Sequence, residues 1–118
     1  MASIDMLRND PAAKAVMAGD TIFSEGDAGS TAYYVTEGEI DLVIHAQTIE
    51  TVGTGGIFGE MALIDHQTRS ATAKAKTDAK VVPIDQKRFL YLIQNTPFFA
   101  VDVMRVMADR IRRMDAKV

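Results

Sequence analysis

The chain has no cysteine and no tryptophan among its 118 residues. Without cysteine there can be no disulfide framework, thiolate zinc site or redox pair, so the chain can fold equally well in a reducing compartment, and the cytoplasm is the expected location. Histidine is almost as scarce. His45 and His66 stand apart in the sequence and cannot build a multi-histidine metal centre, which argues against a cupin-type metalloenzyme and for no metal ligands at all. Basic residues are outnumbered, 13 Lys and Arg against 16 Asp and Glu, for a net charge of −3. That balance opposes sequence-independent nucleic-acid binding, which relies on cations displacing counterions from phosphates. No apolar run approaches the length that crosses a bilayer. The opening MASIDMLRND, interrupted by Asp5, Arg8 and Asp10, is read as carrying no signal peptide.

What remains is an ordinary globular composition, 47% hydrophobic and 25% charged, with three prolines and no low-complexity tract. The length suits one domain over residues 1–118. Seven of the eight glycines fall between Gly26 and Gly59, punctuating short runs of β-branched and aromatic residues. Strands are expected at 14–18, 21–24, 32–36, 39–46, 47–52, 70–76 and 80–85. In the fourth, Ile40, Leu42 and Ile44 alternate with Asp41, Val43 and His45, the period of a half-buried strand.

From Gln86 the period changes. Phe89, Leu90, Leu92 and Ile93 have helical spacing, and Pro97 pushes Thr96 out of the helical region, so this helix should end near Asn95. A final helix follows over 97–118, with Thr96 as its cap and Pro97 in its first turn. Met104, Met107, Ile111, Met114 and Val118 recur in it at coiled-coil spacing. This stripe fits a homodimer seam over 97–115, or packing on its own domain. The fold class is α+β, mainly β: a jelly-roll barrel of short strands followed by C-terminal helices.

The chemistry concentrates in GGIFGEMALIDHQTRSATAKAK, residues 55–76. Gly59 opens Glu60-Met61-Ala62-Leu63, long enough for one helical turn whose free N–H groups can meet an anion. Arg69 is followed by the small residues Ser70 and Ala71, so a guanidinium can grip a phosphate while the backbone approaches it. Glu60 is the odd member. A carboxylate beside a phosphate site makes sense if it accepts from a sugar hydroxyl or pairs with an arginine.

Phe58-Gly59-Glu60-Met61-Ala62-Leu63 and Thr68-Arg69-Ser70-Ala71-Thr72 resemble the phosphate-binding cassette of cyclic-nucleotide-binding domains, of the catabolite activator and cyclic-AMP-dependent kinase regulatory subunit type. The likeness extends to Tyr33-Tyr34-Val35, Glu37-Gly38-Glu39 and Ala75-Lys76-Thr77-Asp78, covering about 13–113. It implies a jelly-roll with a short cassette helix, in which the arginine binds the exocyclic phosphate oxygens and the glutamate accepts the ribose 2′-hydroxyl. These roles fall to Arg69 and Glu60, with the backbones of Gly59, Glu60, Met61, Ala62, Ser70 and Ala71 completing the cradle. Thr68 stands where the family often has proline and Ala73 where it has valine; neither touches the charged contacts.

The resemblance leaves the base open between cyclic AMP and cyclic GMP. Ser70 stands where threonine favours guanine, but serine also occurs there in cyclic-AMP binders. Cyclic AMP is the expected ligand on family frequency. Arg110 falls where the family's helix sends an arginine to the cassette glutamate; the alternative is a solvated arginine among Arg112, Arg113 and Lys117. Met114 and Asp115 replace hydroxyl residues that contact adenine. The expectation is a non-enzymatic sensor with no cofactor, signalling to an unidentified protein effector through its C-terminal helices. A ligand-free interaction module or a regulatory fragment of a larger protein is the alternative. Direct DNA reading is not expected, since a helix-turn-helix would have to follow the final helix and the sequence stops at Val118.

Overall fold

The structure is a computed structural model and describes residues 6–65 and 68–116. Eight strands form two four-stranded antiparallel sheets. They are β1 (Lys14–Val16), β2 (Thr21–Phe23), β3 (Thr31–Glu37), β4 (Ile40–Ile44), β5 (Gln47–Val52), β6 (Ile57–Phe58), β7 (Thr72–Ala75) and β8 (Ala79–Asp85). One sheet runs β1-β8-β3-β6 and the other β2-β7-β4-β5. Strands distant in sequence thus lie side by side, as the jelly-roll requires.

The first sheet is covered on both faces, and its strands show it. Val35, Phe58 and Val81 pack inward against Ile40, Leu42, Val52 and Ala73 of the second sheet. Their neighbours Tyr34, Ile57 and Val82 point the other way, onto Leu7, Phe89, Leu92, Phe99 and Val103. Successive side chains of a strand alternate between faces, so a sheet buried on both sides reads as an unbroken apolar run. Val81-Val82-Pro83-Ile84 is such a run. Leu7, ahead of the first expected strand, belongs to this core, and its segment is fastened by the Arg88 guanidinium on the Asp10 carboxylate.

Helix α1 (Gln86–Asn95) starts where Asp85 accepts a hydrogen bond from the Arg88 N–H at 2.8 Å and ends at the residue expected from Pro97. Helix α2 (Phe98–Ala116) begins one residue later than expected. The Thr96 carbonyl accepts from the Phe99 N–H at 2.9 Å, while its hydroxyl donates to the Met6 sulfur and does not cap the helix. Two expectations need correction in the barrel. Strand β4 stops at Ile44 because His45 and Ala46 form the turn to β5 with φ of 51° and 64°, a conformation without the usual glycine or asparagine to announce it. Ser70 and Ala71 precede β7 instead of opening it, which leaves them free to line a cavity.

Candidate functional site

Gly59 ends β6 with φ 75° and caps a 3-10 turn at Glu60–Leu63. An L side chain is strained at that φ, and a Cβ there would also lie 3.0 Å from Arg69 Nη1 and 3.3 Å from the Thr31 carbonyl oxygen. The turn buries Ala62 and Leu63 and exposes Met61. A turn this short leaves its first N–H groups without partners inside the helix.

Arg69 is held by its backbone and its side chain alike. Its carbonyl accepts from the Gly26 N–H at 2.8 Å and its N–H donates to the Asp27 carbonyl at 2.8 Å, stitching it to the β2–β3 loop. The side chain is 7% exposed. Nη2 donates to the Thr31 carbonyl at 2.7 Å and Nη1 to the Gly59 carbonyl at 3.3 Å, while the guanidinium carbon stands 3.9 Å above the Phe23 ring centroid. A Cβ on Gly29 would fall 2.4 Å from Arg69 Nε, so that glycine makes room for the guanidinium. Nε is buried with no hydrogen-bond partner, and among the described residues no carboxylate forms an ion pair with Arg69. Burial pushes its pKa below the ordinary arginine value, against the opposing pull of Tyr33 and Asp27.

Glu60, 2% exposed, is held differently. Its Oε1 accepts from Arg110 Nη1 at 2.6 Å. The same guanidinium donates through Nε and Nη2 to the two Glu50 oxygens, at 2.7 and 3.1 Å, and through Nη2 to the Ile57 carbonyl at 2.9 Å. Arg113 adds a contact to Glu50 at 3.1 Å. Burial alone would lower the Arg110 pKa; the hydrogen bonds and charges of Glu50 and Glu60 outweigh it and raise it.

Between these two arginines lies a cavity of about 390 Å³. Glu60, Asp65, Thr68, Arg69, Ser70 and Arg110 supply its polar lining. Leu42 and Ile44 of β4 and Ile49 of β5 form one apolar wall, with Met107 and Ile111 of α2 also lining the space. A cavity of this size, mostly apolar with a few convergent charges, suits a small anionic ligand with a flat apolar part.

Of the residues expected from the sequence, Gly59, Glu60, Met61, Ala62, Arg69, Ser70, Ala71 and Arg110 line this one cavity. Phe58 does not. Its side chain turns inward between the sheets, with its ring centroid 5.3 Å from that of Tyr33 and 5.9 Å from that of Phe23. Of the two expectations for Arg110, the Glu60 pair is the one observed. The methionine stripe divides: Met107 and the half-exposed Ile111 line the cavity, Met104 is about half exposed, Met114 falls within α2, and Val118 lies outside the described residues. Phe99 and Val103 hold α2 to its own domain. His45 sits exposed at the β4–β5 turn, 3.8 Å from Glu25, and His66 lies outside the described residues. No cluster of metal-ligating side chains occurs among the described residues.

The sequence reading passed over Phe23, Gly29 and Glu50. For Glu50 a signal existed. It is two residues from buried Val52 and pairs with Leu42 across the sheet, so it shares an apolar face where a carboxylate needs a cation.

A profile of the cyclic nucleotide-binding domain family matches residues 13–96. The chain is 32% identical over 105 residues to the "Cyclic AMP receptor protein" of Thermus thermophilus, covering 85% of this chain and 49% of that protein. Among solved structures, the Thermus thermophilus catabolite activator protein superposes with a TM-score of 0.82 at 29% identity, over 97% of this chain and 56% of that one. The cyclic-GMP-bound form of the EAL enzyme Bd1971 matches with a TM-score of 0.66 at 32% identity, over 89% of this chain and 29% of that one. The two-sheet jelly-roll is thus common ground with these solved structures. The chain belongs to the cyclic nucleotide-binding domain family. It spans about half the length of the curated relative it matches. Among the described residues no helix is long and apolar enough to cross a membrane.

Proposed function

We propose that the chain is a cyclic nucleotide sensor that binds its ligand without converting it, with cyclic AMP as the preferred nucleotide. The observation that carries this reading is Arg69, a buried guanidinium lining a cavity with an unpartnered Nε and no carboxylate counter-ion. Burying a cation without an anion is costly, and a ligand phosphate supplies the anion. The backbone N–H groups at Glu60 and Met61 and the Ser70–Ala71 segment complete the phosphate cradle, Glu60 accepts the ribose 2′-hydroxyl, and the base lies between the β4–β5 wall and α2.

Because α2 carries Arg110 to Glu60, ligand at Glu60 couples to the position of that helix. Ligand shifts the balance between helix arrangements by its differential affinity for them. Exposed Met104 and Ile111 support a homodimer through α2, and the output passes to a protein effector.

Calorimetric titration with cyclic AMP, cyclic GMP and 5′-AMP tests the reading. Both cyclic nucleotides are expected to bind more tightly than 5′-AMP, and cyclic AMP more tightly than cyclic GMP. Absence of binding by either cyclic nucleotide at millimolar concentration would refute it, and a cyclic GMP preference would reverse the choice of base.

A further inference from the structure

The geometry points to Glu50 as a positioning residue for the sugar end of the site: from β5 it orients the Arg110 guanidinium, which in turn aligns the Glu60 carboxylate. This rests on the reading of Glu60 as acceptor of the ribose 2′-hydroxyl.

A guanidinium is a rigid planar fork, so fixing one edge fixes the direction of its remaining donors. Glu50 takes the Nε–Nη2 edge of Arg110 with both oxygens, and the Ile57 carbonyl takes a second bond from Nη2. Nη1 is left aimed at Glu60 Oε1, 2.6 Å away. Glu60 itself rises from a turn of four residues, a short support for a carboxylate that must meet a hydroxyl at a defined point. The anchor for that carboxylate therefore comes from elsewhere in the fold, through Arg110 of α2 and Glu50 of β5.

The charges agree with this division. Arg110 and Arg113, three residues apart on α2, both reach Glu50. With Glu60 the cluster holds two cations and two carboxylates. Glu50 offsets part of the arginines' charge, so that Glu60 is not Arg110's sole counter-ion and keeps acceptor capacity for ligand. Ile49, the residue before Glu50, lines the same cavity, so the strand that would support the base also carries the anchor for the sugar contact.

The test separates positioning from mere stability. Wild type, Glu50→Gln, Glu60→Ala and the double variant are titrated with cyclic AMP and with 2′-deoxy cyclic AMP, and thermal unfolding is followed in parallel. Glu50→Gln keeps shape and should lower cyclic AMP affinity about tenfold, on the order of one charge-assisted hydrogen bond, while changing the 2′-deoxy affinity less than about twofold. In the Glu60→Ala background it should have no further effect on cyclic AMP. Glu50→Asp, which keeps the charge on a shorter arm, should fall between wild type and Glu50→Gln, and it carries the test if Glu50→Gln fails to fold.

Equal losses for both nucleotides, or no loss for either, would overturn the role of Glu50. If wild type prefers the 2′-hydroxyl and Glu60→Ala abolishes that preference while Glu50→Gln keeps it, Glu50 alone is eliminated. A wild type indifferent to the 2′-hydroxyl removes the ribose role of Glu60 and this inference with it.

Discussion

Arg69 and Arg110 line the same cavity under opposite electrostatic conditions. Arg69 is solvated by two carbonyls and an aromatic face, lacks a carboxylate, and has its pKa pushed down. Arg110 is gripped by Glu50 and Glu60 and has its pKa raised. A buried cation with two carboxylates is complete and holds elements together. One with only carbonyls and a ring face for partners still lacks a counter-ion, which the proposed ligand would supply. Under the proposed function, the difference separates the part of the site that builds the fold from the part reserved for ligand.

The comparison predicts its largest effect on stability in the absence of ligand. Arg110→Met leaves Glu50 and Glu60 without their shared cation and should destabilise the protein by about 3 kcal/mol or more in urea unfolding. Arg69→Met removes an unpaired buried charge and should stay within about 1 kcal/mol of wild type, or exceed it. Equal losses at the two positions would erase the distinction.

A smaller effect tests the packing around Arg69. Gly29→Ala places a Cβ where the guanidinium lies, and the displaced fork should bind cyclic AMP about tenfold more weakly by calorimetry, the loss of roughly one charge-assisted contact. Unchanged affinity would show that the guanidinium position is not critical.

The smallest effect is in acid. Burial pushes the Glu50 carboxyl up, yet the hydrogen bonds and charges of Arg110 and Arg113 prevail and hold it below its ordinary value of 4.5. A carboxyl lowered in the folded state contributes stability that is full above the unfolded value and lost as pH falls through the folded one. Between about pH 5 and about pH 3 wild type should therefore lose stability more steeply than Glu50→Gln. Asp10, lowered first by its hydrogen bond from Arg88, titrates in both proteins and drops out of the difference. Parallel acid profiles would show that the Glu50 pair contributes nothing.

The two ends of the site were unequally legible in the sequence. Gly59, Glu60, Arg69, Ser70 and Ala71 fall within thirteen consecutive residues (59–71), so local spacing alone brings them forward, and seven of the eight strands lie where period and turn residues place them. Strand β6 spans only Ile57–Phe58, too short for a period. Phe23 enters the site through the pairing of β2 with β7, and Glu50 through Arg110, 60 residues further along the chain; no local window contains either contact. Phe58 was misassigned because it adjoins the cassette in sequence while the pleat turns its side chain to the other sheet. The α2 stripe was ambiguous for a related reason: one spacing serves a helix seam and a cavity wall equally well, and Met107 belongs to the wall.

Under the proposed function, Arg69 waits for a phosphate. Calorimetric titration of wild type and Arg69→Gln with cyclic AMP tests it most directly. Loss of a bidentate charged contact should weaken binding about a hundredfold or more, with the melting temperature of the free protein nearly unchanged. Equal affinity for the two proteins would contradict it.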